Sequence, residues 1–163
     1  MSETTTSGTI SVKNFRESLL FVFDETFANV HGAFLDPNES LFPTLEGISA
    51  TDASRPVGVG CSSVAAQVNH LNFYFDVAFQ YMRGENPGRQ DWASSWAKTE
   101  VTEEEWTELK EELRVRQRTL VELINGTTSW DNEEIVGGAF AAVAHTAFHL
   151  GQIRHSLCVF RQG

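Results

Sequence analysis

The sequence predicts an all-α protein, a four-helix bundle with long connecting loops, and three observations carry that reading. Apolar residues recur at steps of three and four over four separate stretches, each of about twenty or more residues. No stretch alternates apolar and polar residues in the manner of a half-buried strand, and no segment repeats another. With 163 residues, 41% of them hydrophobic and 21% charged, residues 1–163 read as a single domain able to bury its own core without disulfides or a structural metal.

Residues 1–10 are rich in Ser and Thr and read as a frayed terminus. The first predicted helix carries Val12, Phe15, Leu19, Val22, Phe23, Thr26, Val30 and Phe34 at helical spacing. Its segment Leu19 to Phe23 is apolar all round, which calls for neighbours on every side or for a second subunit. Pro37, Pro43, Gly47, Pro56, Gly58 and Gly60 then punctuate a long ordered loop from Asp36 to about Gly60. Ser62 or Ser63 caps the second helix, whose core stripe is Val64, Val68, Leu71, Phe75, Ala78 and Met82, stopping at Arg83-Gly84. A second loop bears Trp92 and Trp96 and ends at Thr102, where Thr102 and Glu105 have the spacing of a capping box. That box opens the third helix, which stacks Trp106, Leu109, Leu113, Leu120 and Leu123 and closes at Asn125-Gly126. Asp131 is the expected cap of the last helix, with Val136, Phe140, Val143, Ala147, Leu150, Ile153, Leu157 and Phe160 as its apolar face. Gly137-Gly138 weakens its first turns unless another helix approaches closely there.

The formal net charge of −10 repels phosphate backbones, so nucleic acid is not expected as a partner. No run approaches the roughly 18 consecutive apolar residues of a membrane span, and the first residues lack the basic and apolar regions of a secretory signal. Cys61 and Cys158 form neither a CxxC motif nor a repeated spacing, which favours a reducing, cytoplasmic location.

The histidines carry the chemistry. His145 and His149 stand four residues apart, so on a helix their side chains differ by about 40° around the axis and about 6 Å along it. Both can reach one metal ion. In the second helix His70 belongs to a half-polar stripe with Ser63, Gln67, Tyr74, Val77 and Tyr81, and the last helix carries a matching track of Gly138, Ala142, His145, His149, Gln152 and Ser156. Two such tracks facing each other would bring three imidazoles together, satisfied either by a divalent ion or by hydrogen bonds to Tyr74, Gln152 and the backbone. His155 is 240° round the helix from His149 and points elsewhere. His31 is expected to face the C-terminal carbonyls of the first helix.

The segments Val64-x-x-Gln67-x-Asn69-His70-Leu71 and His145-x-x-x-His149-Leu150-Gly151-Gln152-Ile153 resemble those of the DinB-like (damage-inducible, YfiT-like) metal-binding family, over most of the chain. The resemblance implies a bundle with one Zn or Ni ion per chain at one end, held by His70, His145 and His149, and a homodimer. It also implies thiol-dependent transfer, in which the ion activates a low-molecular-weight thiol such as bacillithiol or mycothiol against an electrophilic substrate. No catalytic side chain is assigned by it. Gln67 and Gln152 are candidates for orienting a ligand beside the ion, and Tyr74 with Tyr81 for an aromatic wall. A metal-hydroxide hydrolase and a non-catalytic metal-binding or stress-response module use the same three histidines. Imidazole ligands alone suit Zn, Ni, Fe and Cu.

Overall fold

A computed structural model describes residues 10–161. Their helices are α1 (Val12–Phe27), α2 (Leu41–Glu46), α3 (Ala50–Ala53), α4 (Val64–Met82), α5 (Glu103–Gly126) and α6 (Glu133–Phe160), with a 3-10 turn at Ser94–Trp96, and no strand occurs among these residues. The four long helices form the expected bundle. Each of α1 and α4 packs against both α5 and α6, so contacts run as a ring around one core. Phe23, Phe27, Leu71, Phe75, Trp106, Leu113, Leu120 and Ile153 fill that core at 1% exposure or less. None of the helices is long and apolar enough to cross a membrane.

The caps explain where helices begin. Ser63 accepts the Ala66 N–H at the start of α4, and the Thr102/Glu105 capping box opens α5 as its spacing predicts. In α6 the cap is Asn132 rather than Asp131: its Oδ1 accepts the N–H groups of Glu134 and Ile135, while the Asp131 carboxylate accepts the Ser129 hydroxyl.

The first helix is shorter than its periodicity predicts, ending at Phe27 instead of near Phe34. The cause is Glu25, a fully buried carboxylate in the last turn. It accepts the N–H groups of Ala33 (2.9 Å), Phe34 (2.9 Å) and Leu35 (2.8 Å), folding the chain back on the helix end. Gly32 provides the left-handed turn this reversal needs, at φ 81°. The Glu25 carbonyl in turn accepts the Ser40 hydroxyl at 2.6 Å.

The predicted loop from Asp36 to Gly60 contains α2 and α3. Leu41, Phe42, Leu45, Ile48, Ala50 and Ala53 are buried, and the Ile48 carbonyl accepts the Trp106 indole N–H at 2.8 Å. The segment therefore contributes to the core. Pro43 sits in the first turn of α2, where no intrahelical N–H is lost.

The last helix keeps much of its predicted apolar face, with Leu150 and Ile153 in the core and Val143 and Leu157 packed against it, but Phe140 turns outward and part of the half-polar track is buried instead. Ala139, Ala142, Thr146, His149, Leu150, Ile153 and Ser156 are buried, whereas Phe140 and Phe148 are 55% and 60% exposed. Small side chains on the buried side let α6 approach α4 closely: a Cβ on Gly138 would lie 3.5 Å from Met82.

Glu25 gives a testable consequence. Burial by itself raises its pKa, but the N–H donors of Phe34, Leu35, Ala33 and His31 outweigh it and bring the value down from 4.5 to about 2. A carboxylate depressed in the folded state stabilises it fully above pH 4.5 and loses that contribution as pH falls toward about 2. Glu25→Gln is expected to melt below wild type at pH 7, with the gap shrinking over that acid window. Equal melting temperatures at pH 7 would mean the turn does not depend on the charge.

Candidate metal centre

α4 and α6 pack against each other and bring together the two histidine tracks. One ring nitrogen from each of His70, His145 and His149 lies within 4.8 Å of the others. The closest approach is 3.1 Å, between His70 Nε2 and His145 Nε2. Two nitrogens bound to one tetrahedral ion at 2.0–2.1 Å each stand about 3.3 Å apart. The three residues therefore lie close enough to hold a metal ion.

Hydrogen bonds fix which nitrogens are bare. The Ser95 hydroxyl has one proton, and it donates that to the Trp92 carbonyl at 2.7 Å. The 2.7 Å contact between His70 Nδ1 and Ser95 Oγ must then be donated by the ring, leaving the lone pair on His70 Nε2. Gln67 does the same for His149: its Oε1 accepts from Nδ1 at 3.3 Å. His149 Nε2 is then a buried acceptor without a hydrogen-bond partner, in a residue only 1% exposed. Such a group carries a desolvation cost that a cation would relieve.

The rings are also held by aromatic faces. Trp96 stacks on His70 with centroids 4.0 Å apart and 17° between planes, and Tyr74 stacks on His145 at 4.1 Å and 24°. Burial lowers all three histidine pKa values, that of His70 to about 4 with help from His145, and that of His149 to about 3 with help from His145 and His70. A contact with Gln152 opposes the His149 shift to a smaller extent. The imidazoles are consequently neutral near pH 7, the form that binds metals. Burial pushes Tyr74 up to about 12, so its hydroxyl keeps its proton.

The cluster opens onto a cavity of about 750 Å³, with Gln67, Trp96, Phe148 and Gln152 on its wall. Several expectations are corrected here. His155 lines this cavity instead of pointing away, although it stays outside the cluster. His31 binds the Asp24 carboxylate at 2.7 Å and stacks on Phe21, so it does not face helix carbonyls. Tyr81 is 41% exposed and lines, with Tyr74, Trp92 and Ala141, a groove separate from this cavity; it has no ring contact with the histidines, whereas Tyr74, Trp92, Trp96 and Phe148 do. Cys61 lines the cavity as an exposed free thiol.

Ser95 and the stacking role of Trp96 escape sequence reasoning. They lie in a loop with no periodicity, and the two tryptophans four residues apart were the available signal.

A family model described as the DinB superfamily matches residues 38–153. No match is found among curated proteins or among solved structures.

Removing the Ser95 hydroxyl frees His70 to place its proton on either nitrogen. Ser95→Ala is expected to keep the helical circular dichroism of wild type and to weaken Zn2+ or Co2+ binding about 10- to 100-fold, measured by competition with a chromophoric chelator. Unchanged affinity would show that the hydroxyl does not orient the ring.

Proposed function

The chain belongs to the DinB superfamily, and from that premise we propose that His70, His145 and His149 bind one divalent ion, Zn or Ni, for the activation of a low-molecular-weight thiol. The thiol is then transferred to an electrophilic small molecule. The observation that carries the reading is the convergence of three neutral imidazoles around the unpartnered His149 Nε2.

Three neutral ligands leave a divalent ion its full charge and an open position, at which a bound thiol or water becomes far more acidic than in solution. The protein's own groups have distinct tasks. Ser95 and Gln67 keep the protons of His70 and His149 on Nδ1. Tyr74 and Trp96 hold two of the rings flat and exclude water from their faces. Gln152 stands on the cavity wall beside His149 and orients the incoming molecule. In the transfer, the thiol proton passes to solvent, the sulfur electron pair forms the new bond and the leaving group departs with its own pair.

The reading includes a reducing cytoplasm, which keeps Cys61 and Cys158 as thiols, and a second copy of the chain against the α1–α6 face. There Phe15, Leu19, Val22, Phe140 and Val143 line an apolar groove of about 370 Å³, a surface that association would cover.

The purified protein is expected to carry about one ion per chain. His70→Ala, His145→Ala and His149→Ala should abolish loading, while His31→Ala and His155→Ala retain it. Cobalt substitution should give a sulfur-to-cobalt charge-transfer band when a suitable thiol is added. Turnover of esters or amides without any thiol band would favour the hydrolase, and neither response would favour a non-catalytic module. In sedimentation, wild type should run as a dimer at tens of micromolar and Phe140→Glu as a monomer. A monomeric wild type would remove the second copy from the proposal.

A further inference from the structure

The cavity beside the histidine cluster is notable for the kind of wall it has. Its volume of about 750 Å³ lies within the range of about 300–1,000 Å³ typical of small-molecule sites. Trp96, Phe148 and Val57 give it aromatic and aliphatic faces, while Ser62, Gln152 and His155 add hydrogen-bonding groups without a fixed charge. Among the described residues, none that lines it is Lys, Arg, Asp or Glu. The arginines closest in sequence to the lining have other partners: Arg154 and Arg161 line a separate groove, Arg154 pairs with Glu39, and Arg55 lies over the Phe160 ring and near Asp52.

We infer that the ligand of this cavity carries a single anionic donor, aimed at the three histidines, on an otherwise uncharged body that combines apolar surface with hydroxyl or amide groups. This rests on the metal reading above and narrows its substrate class. A second carboxylate, or an ammonium, entering the cavity would lose hydration and meet no side chain of opposite charge. An extra carboxylate would also oppose the net charge of −10. Hydroxyl and amide groups, by contrast, find neutral partners in Ser62 and Gln152, and an apolar part packs on Trp96 and Phe148. The cluster thus selects the donor atom, and the wall selects the charge of what it is attached to.

The test compares ligands that differ by one charge, on the full-length protein loaded with Co2+, by calorimetry and visible absorption at pH 8. Benzohydroxamate carries one anionic donor on a neutral ring, and 4-carboxybenzohydroxamate adds a carboxylate. Thioglycerol and 3-mercaptolactate form the corresponding thiol pair. In each pair the neutral-bodied ligand is expected to bind at least about tenfold tighter. Equal or tighter binding of 4-carboxybenzohydroxamate overturns the inference, whatever the thiols do. If both hydroxamates show the expected gap and neither thiol gives a sulfur-to-cobalt band, charge selection stands and the thiol reading fails. Binding of none of the four overturns both.

Discussion

Helix α4 is buried almost around its whole circumference, yet it carries Ser63, Gln67, Asn69, His70 and Asn72. A polar group removed from water needs a partner, and much of the structure around the site supplies one. Three of these side chains are satisfied by the segment before α5: Ser63 donates to the Thr99 carbonyl at 2.6 Å, Asn69 to the Ser95 carbonyl at 2.7 Å and His70 to the Ser95 hydroxyl at 2.7 Å. Asn72 donates to the Leu109 carbonyl of α5 at 3.1 Å. The segment is thereby clasped along α4, and it brings Trp96 flat against His70. What remains without a partner around α4 are the Asn72 Oδ1 and, across the interface on α6, His149 Nε2, so the candidate centre holds one of the few polar atoms this pairing leaves unsatisfied.

The histidines themselves were legible in the sequence because helical geometry is regular. A spacing of four fixes His145 and His149 on one side of α6, and the half-polar stripe of α4 identifies His70 beside the core. Gln67 is legible for the same reason, one turn before His70, and it does contact His149. Ser95 and Trp96 are not, because a 3-10 turn of three residues has no period from which to read a facing direction. The setting of His31 is illegible for a related reason: its partner depends on how the chain leaves α1, which Glu25 and Gly32 decide.

Similar physics separates the legible from the illegible parts of the fold. Periodicity and caps identify the four long helices, since each has enough turns for the pattern to repeat. The six and four residues of α2 and α3 are too short for that, and their helical form depends on tertiary burial. In α6 the error came from hydrophobicity itself. Phe140 looks like a core residue, but Ala139 and Ala142 beside it face inward and Phe140 outward, 55% exposed.

The separation of 75 positions between His70 and His145 makes the cluster a sensor of its own assembly. His145 and His149 are neighbours as soon as α6 winds, whereas His70 arrives only when α4 docks. A ligand that engages two rings gains from local helix formation, and one that engages all three gains from the native packing of two distant segments. Mass action converts that difference into stability: occupancy at a hundred times the dissociation constant raises the free energy of unfolding by about 2.7 kcal/mol. A cation held by all three nitrogens would therefore tie its availability to the stability of the folded chain.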